Sequence, residues 1–199
     1  MNKDKTICVF ASSSNELIED YYAAACDMGL LIGRNGYNIA YGGSRRGLMY
    51  ACAGAVKETG GKVFGVMPEI FDNLGMSNPE DCDEFIVTKG MRERKAKLDE
   101  ISGAVIALAG GFGTLEEISE MIVQKQLEYS DKPIVILNTN GFYDNLLKFF
   151  EDVYKEHFAH ESLRNFYYVA KTPEEAIEYI KNYKPNKAES KFAQLEAEI

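Results

Sequence analysis

Short apolar runs alternate along the chain with stretches whose apolar residues recur every third or fourth position. Thr6–Ala11 (TICVFA) is almost wholly apolar, which suits a strand covered on both faces. Ser12–Ser14 and Asn15 offer N-caps, and Leu17, Tyr21, Ala24, Met28 and Leu31 then follow at helical spacing until Gly36. Tyr37–Tyr41 predicts a second strand, punctuated by Gly42–Gly43, and Arg46–Glu58 a helix stopping at Gly60–Gly61. Lys62–Met67 predicts a third strand, with Pro68 opening a long loop through Asp83. Phe85–Thr88 predicts a short fourth strand and Met91–Ile101 a helix. Gly103–Ala109 (GAVIALA) is the clearest buried strand, leading through a GGFGT turn into a helix to Glu128. Pro133–Asn138 and Phe142–Glu156, then Phe166–Ala170 and Pro173–Tyr183, give two more strand–helix pairs.

Strands that alternate with helices imply an α/β fold, a central parallel sheet with helices on both faces. The 199 residues suit one domain over residues 1–184 and a polar tail over 185–199. In that tail Phe192, Leu195 and Ile199 stand at helical spacing, so it is either a weak amphipathic helix or a frayed end.

Composition narrows the partners. Lys and Arg number 22 against 31 Asp and Glu, a net charge of −9, which argues against a nucleic-acid or anionic-membrane binder. Cys8, Cys26, Cys52 and Cys82 form no CxxC pair and both histidines, His157 and His160, lie far from them, so no metal site is expected. The five-residue apolar run near the N-terminus is too short for a signal peptide, and no stretch nears the ~20 apolar residues of a membrane helix. A soluble, cytoplasmic protein is the expectation.

In a doubly wound sheet, ligands bind beyond the C-terminal ends of the strands, near the point where strand order reverses. That rule selects the loops at Ser12–Asn15, Gly42–Gly47, Pro68 onward and Gly110–Thr114, and places Ser12 and Gly43 among the candidate binding residues. Gly110, Gly111, Phe112, Gly113 and Thr114 form the sharpest of these, a turn in which backbone N–H groups can approach phosphate. It lacks the lysine of a P-loop and the spacing of a dinucleotide fingerprint, which weakens a nicotinamide-dependent oxidoreductase reading. Glu116 and Glu117 follow; either they complement the helix dipole or one faces a reacting centre. In the helix before it, Arg94 and Lys95 interrupt the stripe of Met91, Leu98 and Ile101. Cations there either snorkel at a sheet edge or serve a ligand. Arg92 and Lys97 read as solvated, and Arg45–Arg46 as either an anion site or solvated charges.

The motifs M-R-E-R-K-A at Met91–Ala96 and A-G-G-F-G-T-L-E-E at Ala109–Glu117 resemble the paired signatures of the Lonely Guy family of nucleoside 5′-monophosphate phosphoribohydrolases. The likeness runs from ICVFASSS through YGGSRRGLM to KPIVILNTNGFYDNLL, about residues 5–180. It implies a modified Rossmann-like three-layer sandwich, a homodimer or higher homo-oligomer, and hydrolysis of an N-glycosidic bond to free base and ribose 5-phosphate. A purine nucleoside 5′-monophosphate, AMP or a cytokinin-type N6-substituted AMP, is the implied substrate. The family's catalytic arginine falls on Arg94 and its glutamate on Glu117, its phosphate cradle on Gly111, Gly113 and Thr114, with Lys95 and Glu116 lining the site. The scheme calls for no metal or cofactor. Some members carry a lysine decarboxylase label, yet no pyridoxal-phosphate arrangement is recognisable here. The chain departs from the signatures at Arg92, Ala109, Val123 and Gln124, which keeps open a non-catalytic nucleotide-binding or carrier protein of the same fold.

Overall fold

The structure is a computed structural model that describes residues 2–185; the amphipathic pattern at Phe192, Leu195 and Ile199 lies outside the described residues. Seven strands, β1 (Thr6–Phe10), β2 (Asn38–Tyr41), β3 (Val63–Pro68), β4 (Glu84–Thr88), β5 (Ala104–Ala107), β6 (Ile134–Leu137) and β7 (Tyr168–Ala170), form one sheet. Its order is β4-β3-β2-β1-β5-β6-β7 and every pairing is parallel. Between them run α1 (Glu19–Arg34), α2 (Gly47–Glu58), α3 (Glu69–Asn73), α4 (Met91–Ile101), α5 (Phe112–Gln126) and α6 (Asp144–Lys155), and α7 (Pro173–Asn182) follows β7.

Alternation within the strands divides the core into two layers. Ile7 and Val9 of β1 face one way, joining Ile39, Ile106 and Val135 under Met28 and Ile32 of α1, Cys52 and Val56 of α2, and Ile177 and Ile180 of α7. Cys8 and Phe10 face the other way, with Phe64, Val105 and Ile136 beneath Leu98 of α4, Ile118 and Met121 of α5, and Tyr143 at the start of α6. The predicted α/β class is therefore what the chain adopts.

Three local expectations change. Pro68 does not open a loop but closes β3, where it pairs with Thr88, and the segment to Asp83 holds α3 and a 3₁₀ turn at Pro79–Asp81. As the last residue of the strand, Pro68 fills the N-cap of α3 in extended backbone, a place where its fixed φ and missing N–H do no harm. The first helix starts at Glu19 rather than directly after Asn15, because the serine hydroxyls close tight local turns instead: Ser12 Oγ accepts from Ser14 N at 3.1 Å and Ser14 Oγ from Glu16 N at 3.1 Å. The buried stripe of α1 is Ala25, Met28, Gly29, Ile32 and Gly33, rotated from the spacing read at Leu17–Leu31. Of the cysteines, Cys8 and Cys52 are buried while Cys26 and Cys82 are half-buried.

From β1 the chain winds outward to β2, β3 and β4; from β5 it winds the opposite way to β6 and β7. The switch point therefore lies between β1 and β5, and the crevice beyond their C-terminal ends is flanked by residues 11–18 and the start of α5.

Candidate active site

A cleft of about 460 Å³ opens at that switch point, lined by Ala11 and Ser12–Ser14 after β1, Arg46 and Met49 of α2, and Met76. Met91 and Arg94 of α4, with Gly111, Gly113, Thr114 and Glu117 at the head of α5, complete it. A depression of about 490 Å³ at the opposite ends of the strands has two of its lysines engaged by the fold: Lys125 donates to the carbonyls of Lys132 and Phe166, and Lys132 pairs with Asp99.

The floor of the cleft is an ion pair. Arg94 Nη1 donates to Glu117 Oε1 at 2.7 Å, and both residues are only 7% exposed. Arg94 Nε donates to the carbonyl of Val66 in β3 at 3.1 Å, so the guanidinium is fixed between sheet and carboxylate. Its far nitrogen lies against Gly42, where a Cβ would stand 2.2 Å from Nη2; only a glycine admits the side chain there. Arg94 faces inward with Leu98 and Ile101, whereas Met91, one turn earlier, is half exposed at the cleft. Burial pushes the Glu117 carboxyl up from its ordinary value, against the opposing pull of Arg94. The thiol of Cys8 beneath is raised as well, by burial first and by the Glu117 charge second.

The sequence places GGFGT in a turn, but α5 already begins at Phe112, with Gly111 as its N-cap. Thr114 thus sits buried in the first helical turn, its hydroxyl against Gly110. No side chain caps this helix. The first two amides of α2, on the other side of the serine loop, are taken: Gly47 N donates to Asn15 Oδ1 and Leu48 N to the Ser12 carbonyl, each at 2.9 Å. Of the two helices whose first turns line the cleft beside that loop, α5 is the one whose leading amides stand open to an anion. Tyr143 braces this corner by donating to the Leu108 carbonyl at 2.7 Å.

Ser12, Arg94, Gly111, Gly113, Thr114 and Glu117 are thus gathered in one cleft. The other candidates stand outside its lining. Lys95 bridges α4 to α5 through Glu116 and Glu120, the latter at 2.6 Å. Phe112 is 92% exposed, and Gly43 lies against Phe85.

Known proteins resemble this chain over most of its length. A family model described as "possible lysine decarboxylase" matches residues 49–180, more than half of the chain. Cytokinin riboside 5′-monophosphate phosphoribohydrolase LOG5 of Arabidopsis thaliana is 37% identical over 181 residues, 91% of this chain and 79% of the relative. The probable cytokinin riboside 5′-monophosphate phosphoribohydrolase LOGL2 of Oryza sativa subsp. japonica is 38% identical over 182 residues, 91% and 74%. The chain belongs to the Lonely Guy family. Among solved structures, the molybdenum cofactor binding protein of Rippkaea orientalis superposes with a TM-score of 0.69 at 25% identity, over 91% of this chain and 97% of that one. The Moco carrier protein of Chlamydomonas reinhardtii shares the fold, with a TM-score of 0.69 at 23% identity over the whole of both chains.

The two Lonely Guy signatures meet in space through Arg94 and Glu117, one from each. What sequence reading passed over is the methionine wall of Met49, Met76 and Met91. Met49 carried a signal in its place after the Gly42–Gly47 loop; Met76 carried none, because α3 and the turn after it return to the cleft only through contacts such as Arg45 N to the Met76 carbonyl, at 3.3 Å.

Proposed function

We propose that this protein hydrolyses the N-glycosidic bond of a purine nucleoside 5′-monophosphate, AMP or an N6-substituted AMP, releasing free base and ribose 5-phosphate. The observation that carries the reading is the buried Arg94–Glu117 pair on the floor of a cleft whose rim is an uncapped helix end. The 5′-phosphate lies at the open amides of Gly113 and Thr114, and the base along the polarisable wall of Met49, Met76 and Met91.

As the C1′–N bond breaks, its electron pair leaves with the base and positive charge develops on the ribose. A carboxylate beside C1′ stabilises that charge and orients the water whose oxygen bonds to C1′; Glu117 fills this role. Of the water's two protons one stays on the new anomeric hydroxyl and the other ends on the base nitrogen that took the electron pair, so the sum is hydrolysis. Arg94 is the positioning residue: its fork, anchored on Val66, fixes the carboxylate. Each contribution belongs to the roughly 10²–10⁴ range in rate.

A homodimer in the cytoplasm belongs to the same reading. Phe112 and Val123 are exposed on one side of α5, the apolar positions a second copy would cover; among the described residues, no helix is long and apolar enough to cross a membrane. The likeness to the molybdenum cofactor binding protein of Rippkaea orientalis favours a second reading, a non-catalytic nucleotide-binding or carrier protein of the same fold.

Incubating the purified protein with AMP and with N6-isopentenyl-AMP tests the proposal. Free base and ribose 5-phosphate are expected, and their loss in Glu117→Gln. Nucleotide binding without product from either substrate would favour the carrier.

A further inference from the structure

Three charged side chains line the cleft, Arg46, Arg94 and Glu117, and two of them cancel. Arg94 spends its charge on Glu117 and its Nε on Val66. Lys95, the nearest further cation in the signature, is held by Glu116 and Glu120. Arg46 is different: among the described residues its side chain makes no ion pair and no hydrogen bond. Its neighbour Arg45 turns the other way, with Nε on the Ser77 carbonyl at 2.8 Å and Nη2 3.7 Å from Glu80. Two adjacent arginines therefore diverge, one pinned to the segment before β4 and one left at the cleft.

The backbone at Arg46 is fixed as the N-cap of α2, directly before Gly47 and Leu48, whose amides are tied to Asn15 and Ser12. Those bonds take the first two amides of α2, so the charge offered to an anion approaching from this side is the Arg46 side chain. The serine loop lies between, because β1 stands between β2 and β5 in the sheet. An anion over Ser12–Ser14 is within reach of the α5 amides on one side and of Arg46 on the other. In a chain of net charge −9 a dianion is repelled at long range, and an unneutralised guanidinium at the cleft is what offsets this locally.

We propose that Arg46 is a phosphate-binding residue, its guanidinium pairing with the 5′-phosphate of the nucleotide held in the cleft. The inference rests on the nucleotide reading above and adds to it a charge that neither signature contains. Arg46 sets affinity rather than rate, since the phosphate carries the same charge before and during cleavage of the glycosidic bond.

The test combines steady-state kinetics with calorimetric binding of AMP and of adenosine to the wild type, Arg46→Ala, Arg46→Lys and Arg45→Ala. Arg46→Ala is expected to raise both KM and Kd for AMP roughly tenfold or more with kcat held within about twofold. Adenosine binding stays unchanged, Arg46→Lys recovers most of the loss, and Arg45→Ala resembles the wild type. The dependence of KM on salt weakens in Arg46→Ala, because one cation fewer meets the phosphate. AMP affinity unchanged in Arg46→Ala, or AMP and adenosine weakened alike, overturns the assignment. Calorimetry separates the two claims: if the wild type binds AMP without releasing base, hydrolysis fails while the Arg46 result still stands or falls.

Discussion

The guanidinium of Arg94 and the carboxylate of Glu117 meet at 2.7 Å across 23 residues of sequence, with β5 lying between the two helices that carry them. Removing either partner leaves an opposite charge buried, but the two losses differ in kind. Arg94→Ala strands a carboxylate in an apolar floor and is expected to cost about 3–5 kcal/mol. Glu117→Gln keeps an acceptor for the Arg94 N–H, so it loses less stability while product formation falls roughly 10²–10⁴-fold. Urea denaturation beside an assay of released base separates them; base release undiminished in Glu117→Gln would show that the pair is structural only.

Lys95 lies beside that pair, and its neutralisation by Glu116 and Glu120 sets a different expectation. Hydrogen bonds to Glu116 and then Glu120 hold its ammonium above its ordinary pKa, so the charge is committed. Because Glu116 is largely exposed, Lys95→Met should cost under about 1 kcal/mol. The KM for nucleotide should stay put; a rise of about tenfold would place Lys95 on the phosphate instead.

The layering of the sheet was legible because Ile7 and Val9 against Cys8 and Phe10 encode two faces by simple alternation, and the helix Met91–Ile101 because a glycine precedes it and Leu98 and Ile101 share a stripe. Arg94 and Lys95 stood out as cations in that stripe, yet adjacent residues lie about 100° apart on a helix. Sequence alone does not say which of the two turns inward; the carbonyl of Val66 and the gap at Gly42 decide it. Met76 was invisible for a different reason. Its place in the cleft depends on contacts between the α3 segment and the Gly42–Gly47 loop, such as the Asn78 N to Gly43 O bond at 2.9 Å, and no periodicity encodes them.

The glycine turn separates packing from binding. A Cβ at Gly110 would stand 2.1 Å from Thr114 Oγ1 and 2.6 Å from its Cβ, so Gly110→Ala must displace the first turn of α5, at about 1–3 kcal/mol, and weaken nucleotide binding with it. A Cβ at Gly113 meets nothing within 4 Å, yet the residue lines the cleft. Gly113→Ala should therefore stabilise the helix by up to about 1 kcal/mol and still raise KM, because the methyl occupies ligand space. Thermal melts paired with kinetics read both signs; unchanged KM in Gly113→Ala would move the phosphate away from this turn.

The role proposed for Glu117 also ties activity and stability to pH in opposite directions. Burial lifts its carboxyl above the ordinary 4.5, with Arg94 pulling the other way. In the role proposed for Glu117 the carboxylate is the active form, so kcat/KM should climb with pH along an acid limb displaced upward from 4.5. Between the unfolded and the folded pKa, the native chain binds more protons than the unfolded one. The stability this group contributes is therefore fully present below about 4.5 and is lost as pH rises through the folded value. Over that window activity rises while this contribution to stability falls. In Glu117→Gln the residual rate should lose the limb and the unfolding free energy should lose that part of its slope. A wild-type acid limb at or below 4.5 would mean that Arg94, not burial, governs the carboxylate.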